Sequence, residues 1–488
     1  MTGREGGRCG PVHGGASGRI ALTVPGGRSR SIRAALLLVG VLLVGSCGVE
    51  ELVLEPFRGE TPHERYAERL ERADLVETAL GRDWKRAAAE ALTAPLRADP
   101  PMIEEGWLPV EDPSALGYRV EMQRGQRLRV RLDLEEDEDA RVFIDVFRVR
   151  GDAELEDPSL LTVAWADSLA REVTYDARTT STFLVRVQPE LLRGGAYRLT
   201  MELGASLAFP VEGRDASAIR SFFGAPRDGG AREHHGVDIF APRGTPVLAA
   251  SEGRVTRVQT TPIGGHVVWV RSEEHGHSEY YAHLDLQLVE SGARVSPGDT
   301  LGLVGNTGNA VTTPPHLHFG IYSRGPVDPL PFLRNPSTPP ATPRFARERL
   351  HEPARLSADG GTIRAGPFSG SEVVEAGEPF LPVHVLAGAA DWVRVRLPDR
   401  RHGYVHAERI EPVETPVQSI VGGSDDVLRR APGESAPGIR VVPANHEIAV
   451  LGQYGEWSWV RPSDGARPGW IRNGFDEETE PVTGERTE

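Results

Sequence analysis

The sequence predicts a mainly β protein of several domains, in which helices are confined to a short N-terminal segment. Its 488 residues are enough for about three to four domains. Every second residue from 128 to 134 is leucine or valine, the pattern of a strand that is buried on one face. Near the C-terminus, the motif Ile-Arg-Ala-Gly-Pro at residues 363–367 recurs as Leu-Arg-Arg-Ala-Pro at residues 428–432. This repeat indicates two domains of one kind.

Residues 1–47 are predicted to be an export signal with a lipid-attachment site. Three arginines precede an apolar run at residues 34–44, which is too short to span a bilayer because spanning takes about 20 residues. The Gly-Ser-Cys that follows resembles a bacterial lipobox, which implies cleavage before Cys47 and lipidation of its thiol. The alternative is a plain signal with a fortuitous cysteine. In a Gram-negative source, Gly48 favours sorting to the outer membrane, facing the periplasm.

Residues 48–105 are predicted to be a linker and a helical segment. Thr61 and Glu64 have the spacing of a capping box, and Pro62 occupies the first helical position. Apolar residues then recur at helical spacing through two helices. We expect these helices either to form a stalk or to pack on the next domain. In that domain, residues 106–205, apolar residues alternate along predicted strands that are separated by turns. The pattern weakly resembles a β-sandwich of the pre-peptidase type, and no site is assigned to it.

A split set of metal-binding and acid–base side chains lies in the middle of the chain, at His234, Asp238, His283, His316 and His318. Side chains at positions i and i+2 of a strand point the same way, so we expect His316 and His318 on one face. His234 and Asp238 flank a glycine that lets the chain turn closely around an ion. Two imidazoles and a carboxylate suit a catalytic zinc, which keeps its fourth position open for water.

The stretch that contains this set carries seven motifs in a fixed order. They are Phe-Gly-Ala-Pro-Arg, His-His-Gly-Val-Asp-Ile, Gly-Thr-Pro-Val-Leu-Ala-Ala, Tyr-Ala-His-Leu, Gly-Asp-Thr-Leu-Gly-Leu-Val-Gly-Asn-Thr-Gly, His-Leu-His-Phe and Val-Asp-Pro-Leu. Together they resemble the LytM/lysostaphin-type zinc peptidases of peptidoglycan, the M23 endopeptidases. The resemblance implies a catalytic domain at residues 206–334, built as a largely antiparallel β-sheet with a groove.

The resemblance also implies a role for each member of the split set. His234, Asp238 and His318 become the ligands of Zn²⁺, and His283 and His316 become the catalytic pair. Zinc polarises a peptide carbonyl and lowers the pKa of water from about 15.7 to about 7. A neutral histidine can accept the proton and pass it to the leaving amine, and a protonated one can stabilise the oxyanion. The sequence leaves open which histidine of the pair does which.

Several other residues near the set have alternative interpretations. His235 is the rival to its neighbour as a metal ligand. Tyr281 either orients the catalytic pair or the substrate, or it is a core tyrosine. His266 is expected in a strand that is preceded by a turn. His275 and His277 lie in a polar segment, Glu-Glu-His-Gly-His-Ser, where a solvated hairpin tip is favoured over a second metal site.

The chain departs from the family pattern at two places beside the expected groove. Gly320 stands where the family often has an acidic residue, and the loop at residues 309–315 is longer than the common version. Both departures concern the specificity of cleavage and leave the ligand set intact.

The C-terminal third is predicted to hold two small β domains behind a linker. Prolines make residues 335–354 a semi-rigid linker. The repeated units at residues 355–414 and 415–476 resemble tandem bacterial SH3-type barrels, which often bind cell-wall peptides, and residues 477–488 form a tail. Tethering a catalyst to such a module raises its effective concentration at the substrate.

Three tryptophans in the repeats admit two roles. Trp392, Trp457 and Trp470 are either aromatics of a binding groove or fillers of the small barrel cores, and the core role is favoured.

Composition and charge limit the possible functions. The formal net charge of −15 and a pI near 5.6 argue against a nucleic-acid partner. The 2 cysteines, Cys9 and Cys47, lie before and at the end of the signal, so we expect no disulfide in the mature protein.

The predicted function is that of a zinc-dependent endopeptidase, lipid-anchored in the cell envelope, that hydrolyses peptide cross-links of peptidoglycan. Its expected partners are peptidoglycan peptides and, through the lipid anchor, the membrane. An outer-membrane anchor favours D-alanyl–diaminopimelate bridges over glycine-rich ones. The main alternative is a non-catalytic LytM-like regulator that activates a cell-wall amidase, although such regulators typically lack some of the zinc ligands. A third is a structural lipoprotein that tethers the wall.

Overall fold

The structure is a computed structural model, which describes residues 59–135, 139–151, 159–345, 347–350, 352–422, 425–465 and 467–473. Strand accounts for 48% of the described residues and helix for 12%, which confirms the predicted mainly β class. Within these ranges, no helix is long and apolar enough to cross a bilayer. The predicted export signal, its Cys47 and the tail at residues 477–488 lie outside the described residues.

Two helices precede the first strand, and each begins at a threonine cap. Helix α1 spans Pro62–Arg72 and has the predicted capping box. The Glu64 N–H donates to Thr61 Oγ1 at 3.1 Å, and the Thr61 N–H donates to the Glu64 carboxylate at 2.7 Å. Helix α2 spans Ala79–Thr93, and its Thr78 cap accepts a hydrogen bond from the first turn.

The helices pack on the β-sandwich that follows and do not form a stalk. Trp84 of α2 is 1% exposed, and its indole N–H donates to the Pro189 carbonyl oxygen at 2.9 Å. The His63 ring stacks on this indole with 4.7 Å between the ring centroids, and its Nε2 lies 2.8 Å from Gln188 Oε1. Burial, with a smaller effect of Arg186, lowers the pKa of His63 to about 3, so the ring is neutral.

The β-sandwich has two sheets that enclose one core. Its strands are β1 Leu96–Arg97, β2 Met102–Leu108, β3 Leu116–Met122, β4 Gln126–Leu134, β5 Val142–Arg150, β6 Ser159–Trp165, β7 Glu172–Asp176, β8 Ser181–Pro189 and β9 Gly195–Ala205. One sheet has the order β1-β3-β8-β5-β6, and the order β2-β9-β4-β7 runs through the other. The alternating residues 128–134 lie on β4, where their apolar side chains are buried in the shared core. β1 and β2 already begin within residues 48–105.

The next domain is built from long and short antiparallel strands, and it carries the split histidine set. The elements are β10 Ile219–Ser221, β11 Pro226–Arg227, β12 Arg232–Glu233, β13 Val237–Phe240, β14 Pro246–Leu248, β15 Gly253–Thr261, β16 Gly265–Ser272, β17 Ser278–Gln287, β18 Arg294–Val295, β19 Thr300–Val304, β20 His316–Tyr322, β21 Pro326–Val327 and helix α3 Leu330–Leu333. The main sheet has the order β10-β13-β20-β17-β16-β15-β18. One apolar cluster fills the side of the sheet that faces away from the histidines.

The two C-terminal repeats adopt the same strand order, which confirms the internal repeat. The first has β22 Pro353–Leu356, β23 Gly361–Arg364, β24 Val373–Gly377, β25 Pro382–Ala389, β26 Trp392–Arg396, β27 His402–His406 and β28 Ile410–Pro412. The second has β29 Gln418–Val421, β30 Asp426–Arg429, β31 Gly438–Val442, β32 Glu447–Tyr454, β33 Trp457–Pro462 and β34 Gly469–Arg472. β24-β23-β27-β26-β25 in one corresponds to β31-β30-β34-β33-β32 in the other.

The first repeat is joined to the sandwich, which the sequence did not indicate. β25 pairs with β2, so the second sandwich sheet continues into the barrel. At this junction the Glu104 carboxylate, which is 0% exposed, accepts hydrogen bonds from Tyr118 at 2.7 Å, from Tyr197 at 2.5 Å and from Tyr404. Arg394 Nε lies 3.4 Å from the same carboxylate. A buried charge is stable only when it is paired and hydrogen-bonded, so this cluster fixes the two parts together.

Candidate metal and catalytic site

Two paired strands bring most of the predicted site together. β13 and β20 are antiparallel, with Asp238 directly opposite His318 and Phe240 opposite His316. Since β20 is extended, His316 and His318 lie on the same face of the sheet, as predicted. His234 enters from the residues just before β13. Gly236 allows this close approach, because a Cβ there would lie 2.4 Å from the Phe319 carbonyl oxygen.

Three donor atoms of the predicted ligands converge on one point. His234 Nε2 lies 2.9 Å from His318 Nδ1 and 3.0 Å from Asp238 Oδ1, and His318 Nδ1 lies 3.1 Å from the same oxygen. Donor atoms about 2.1 Å from a tetrahedral zinc are about 3.4 Å apart, so this triangle is close to the size that the ion requires. His235, the rival ligand, is exposed and lies outside the cluster.

Hydrogen bonds around the triangle orient the donors. His234 Nδ1 lies 2.9 Å from the Phe222 carbonyl oxygen, which can only accept. The proton is therefore on Nδ1, and the Nε2 lone pair faces the cluster. Burial opposes the ionisation of Asp238, but the close contacts with His234 and His318 outweigh it and hold the pKa of Asp238 well below its usual range. Arg227 donates to the other carboxylate oxygen, Oδ2, at 2.6 Å.

His283 and His316 lie beside the triangle with one nitrogen each left for chemistry. Their ring centroids are 5.0 Å apart. His283 Nδ1 is 2.9 Å from the Thr307 carbonyl oxygen, and His316 Nδ1 is 2.9 Å from that of Pro314. Each Nδ1 must therefore donate, which leaves Nε2 as the nitrogen available for proton transfer. Burial, and then the neighbouring His318 and His316, lower the pKa of His283 to about 4, so this imidazole is neutral near pH 7.

His283 lies at a bulge with an unusual backbone conformation. Its φ is +62°, in the left-handed region that a residue with a Cβ rarely adopts. The register between β16 and β17 shifts there, so the strand is bent and the imidazole faces the cleft. Such conformations persist only where the surrounding structure holds them, and they are common at functional sites.

The five residues line a cleft of about 840 Å³. An aromatic cluster forms part of its wall: the Trp269 ring lies 4.5 Å from that of Tyr280 and 5.2 Å from that of Tyr322. Asn309 and Thr313, from the long loop ahead of β20, also line the cleft. The loop that departs from the family pattern is thus part of the wall.

Sequence reasoning missed Arg227 and the aromatic wall. A signal for Tyr322 was available, because it stands four residues after His318 on β20 and so shares its face. No comparable signal marks Arg227, since its contact with Asp238 depends on how β11 folds back over the site.

The structure shows the surroundings of three nearby residues whose roles the sequence left open. Tyr281 is a core residue: it is 0% exposed, donates to Glu279 at 2.5 Å and accepts from the Ala250 N–H at 2.9 Å. His266 lies on β16 after a turn, as predicted. The prediction of a solvated hairpin tip is wrong for His277, because this residue is 1% exposed and its ring lies edge-on to Phe332.

His275 forms a second group of possible metal donors with Asp176 and Glu274. Both Asp176 oxygens, however, accept from Arg127, at 2.6 and 2.7 Å. Because this ion pair already neutralises the carboxylate, the group does not resemble the convergent triangle at His234.

Known proteins match two parts of the chain. An L-Ala–D-Glu endopeptidase of Bacillus subtilis is 36% identical over 140 residues, which are 26% of this chain and 43% of that protein. Peptidoglycan DD-endopeptidase ShyC of Vibrio cholerae is 37% identical over 100 residues, which are 20% of this chain and 22% of that protein. The uncharacterized lipoprotein YgeR of Escherichia coli is 38% identical over 108 residues, which are 22% of this chain and 40% of that protein. The chain thus spans less than half the length of these relatives.

Among solved structures, the catalytic domain of lysostaphin from Staphylococcus simulans is 33% identical, covers 23% of this chain and 89% of that domain, and has a TM-score of 0.22. Two family models match by sequence: Peptidase family M23 at residues 232–329 and Bacterial SH3 domain at residues 357–412. These matches confirm the resemblance that the motifs suggested. Residues 232–329 are thus a domain of the peptidase family M23 type, and residues 357–412 are a bacterial SH3 domain.

Proposed function

We propose that the protein is a zinc-dependent endopeptidase that hydrolyses peptide cross-links of peptidoglycan. One observation carries the proposal: the donor atoms of His234, Asp238 and His318 lie within 3.1 Å of one another, beside two histidines whose Nε2 atoms are free to accept a proton. This arrangement opens into a cleft large enough for a peptide.

The donor set suits zinc. Two imidazole nitrogens and one carboxylate oxygen are among the ligands that this ion prefers, and three protein ligands leave a fourth position open. When bound, zinc supplies Lewis-acid polarisation of a peptide carbonyl and lowers the pKa of water. In this proposal the ion is held by His234 Nε2, His318 Nδ1 and Asp238 Oδ1, which the Phe222 carbonyl and Arg227 keep oriented.

His283 and His316 are proposed to handle protons. Each presents its Nε2 for proton transfer, because its Nδ1–H is held by a backbone carbonyl. A base of this kind accepts a proton from the attacking water, and the resulting imidazolium returns it to the leaving amine or stabilises the oxyanion. The fixed ring orientations favour these transfers, since little reorganisation is required.

The substrate and the location are inferred from the relatives and the N-terminal sequence. Two of the relatives are named as endopeptidases, one of them as a peptidoglycan DD-endopeptidase, and a third is named as a lipoprotein. With the proposed lipidation of Cys47, the enzyme acts in the cell envelope, anchored to the outer membrane on its periplasmic side, and its partners are the membrane and peptidoglycan peptides.

The test is digestion of purified sacculi by residues 48–488, the chain without its export signal and lipidated cysteine, with the released muropeptides identified by mass spectrometry. We expect new peptide termini that disappear with EDTA, return with zinc and are absent for His318→Ala. His266→Ala, on the neighbouring strand β16, is the matched control and should cut normally. Tight binding to sacculi without new termini would contradict the proposal and favour the non-catalytic regulator that activates an amidase.

A further inference from the structure

Arg220 is the extra residue of a β-bulge at the edge of the peptidase cleft. Strand β10 pairs with β13 through Ile219 opposite Ile239 and then through Ser221 opposite Asp238, so β10 takes two steps where β13 takes one. The extra residue of a bulge is left unpaired, and bulges beside active sites re-aim a side chain. Here the side chain of Arg220 lines the cleft that contains the ligand triangle.

The guanidinium of Arg220 is available to a ligand. This residue is exposed, and among the residues that the structure describes no carboxylate lies within ion-pair distance of its guanidinium and no group accepts a hydrogen bond from it. Arg227, in contrast, is already committed, because it donates to Asp238 and to Ser221. Arg220 therefore brings an unneutralised positive charge to the cleft.

Arg220 and the aromatic wall lie on opposite sides of the ligand triangle. In the sheet order β10-β13-β20-β17-β16, Arg220 is on the edge strand β10, and the ligands Asp238 and His318 are on β13 and β20. Tyr280 and Trp269 follow on β17 and β16. Four strand spacings of about 4.8 Å separate β10 from β16, or about 19 Å, which an extended peptide of about six residues can span.

The two ends of the cleft suit different parts of a peptide. A guanidinium binds a carboxylate through two parallel charge-assisted hydrogen bonds, whereas aromatic rings contact apolar groups. The cleft is lined by three arginines and by two carboxylates, those of Glu233 and Asp238. Because Asp238 is paired with Arg227, the remaining charge of the lining is positive, in a protein of formal net charge −15. Such a lining attracts an acidic substrate.

We infer that Arg220 determines substrate specificity by binding a free carboxylate of the peptide, on the side of the scissile bond that lies over β10. The aliphatic part of the peptide on the other side contacts the aromatic wall. This inference rests on the proposed function and narrows its substrate class to cross-links that carry an ionised carboxylate near the scissile bond. Amidation of that carboxylate removes its pairing with the guanidinium, so it protects the cross-link from this enzyme.

The test compares two synthetic stem-peptide dimers joined by a D-alanyl–diaminopimelate bridge, one with free carboxylates and one with carboxamides in their place. The value of kcat/KM is measured for each dimer with residues 48–488. We expect the wild type to prefer the free-carboxylate dimer at least about tenfold and Arg220→Ala to prefer it less than about twofold. Since each preference is a ratio within one variant, a general loss of folding or zinc cancels.

Two further variants give the control and the direction of the charge effect. Arg214→Ala removes an exposed arginine of the same domain outside the cleft, and it should keep the wild-type preference. Arg220→Glu should reverse the preference, and favour a third dimer whose carboxylates are converted to aminoethylamides over the free-carboxylate dimer. A wild-type preference below twofold, a tenfold preference that persists in Arg220→Ala, or an equal loss in Arg214→Ala would each overturn the inference.

A binding measurement separates this inference from the proposed function. The free-carboxylate dimer is titrated calorimetrically into His316→Ala, which keeps the ligand triangle but lacks one of the two proposed proton carriers. Adding Arg220→Ala should weaken binding at least about tenfold. If the wild type cuts no dimer while this dependence is present, the proposed function fails and the binding role of Arg220 stands. If the wild type cuts both dimers equally and binding does not depend on Arg220, the inference fails and the proposed function stands.

Discussion

Replacing Arg227 should weaken zinc binding although this residue is not a proposed ligand. Its guanidinium donates to Asp238 Oδ2 at 2.6 Å and to Ser221 Oγ at 2.7 Å, which leaves Oδ1 facing His234 and His318. In Arg227→Ala the carboxylate loses the partner that fixes its rotation. Loss of a residue that orients a metal ligand typically weakens affinity 10- to 100-fold, which corresponds to about 1.4 to 2.8 kcal/mol.

The assay is competition for zinc between the protein and a chromophoric chelator of known affinity. Arg227→Lys should lie between the wild type and Arg227→Ala, since an ammonium group keeps the charge but lacks the planar Nη2 that makes both hydrogen bonds. Arg220→Ala removes an exposed arginine from the same cleft and serves as the control. A zinc Kd of Arg227→Ala within twofold of the wild type, or an equal loss in Arg220→Ala, would refute the reasoning.

Three further predictions concern stability. Because burial lowers the pKa of His63 from 6.5 to about 3, the unfolded chain binds more protons below pH 6.5, and about 5 kcal/mol of stability is lost as the pH falls to 3. The protection factors of the α1 amides, measured by hydrogen exchange and referred to the intrinsic exchange rate at each pH, should fall over that window, and much less so in His63→Phe; an equal fall in both contradicts the prediction. Glu104→Gln should lower the free energy of unfolding by about 3 to 5 kcal/mol in denaturant titrations, whereas the exposed Glu111→Gln should stay within about 0.5 kcal/mol. The melting temperature of His283→Gly should be at least as high as that of His283→Ala, because a left-handed φ costs alanine about 1 to 2 kcal/mol. A clearly higher melting temperature for the alanine variant would argue against a left-handed backbone at this position.

Because side chains alternate between the two faces of a strand, the central residues of the candidate site could be predicted from the sequence. A two-residue spacing fixes which face a side chain occupies, so His316 and His318 could be assigned to one side before the structure was known. The glycine between His234 and Asp238 indicated a close approach, and the structure has one. These features depend on local geometry, which the residue types encode directly.

Contacts between distant strands were not predictable in the same way. The strained φ of His283 follows from a register shift against β16, and no residue type in that segment demands it. The position of Arg227 depends on a short hairpin that folds over the site. Such contacts are set by tertiary packing, which a single sequence does not encode locally.

The joined sheets illustrate the same limit. β2 and β25 are distant in sequence, and neither carries a motif that names its partner. The hydroxyls around Glu104 come from three strands, so the carboxylate looks like an ordinary charged residue until those strands are assembled. The sequence left two roles open for the tryptophans of the repeats, because an indole suits a barrel core and an external groove equally well; Trp470 is buried, whereas Trp392 and Trp457 are half-buried.

The central claim is that one zinc ion is held by His234, Asp238 and His318. The most direct test is a crystal of the zinc-loaded mature chain, measured with X-rays on both sides of the zinc absorption edge. The proposal predicts one strong anomalous peak about 2.0 to 2.2 Å from His234 Nε2, His318 Nδ1 and Asp238 Oδ1. A peak at His235 or His275 instead, or none at the three donor atoms, would contradict it.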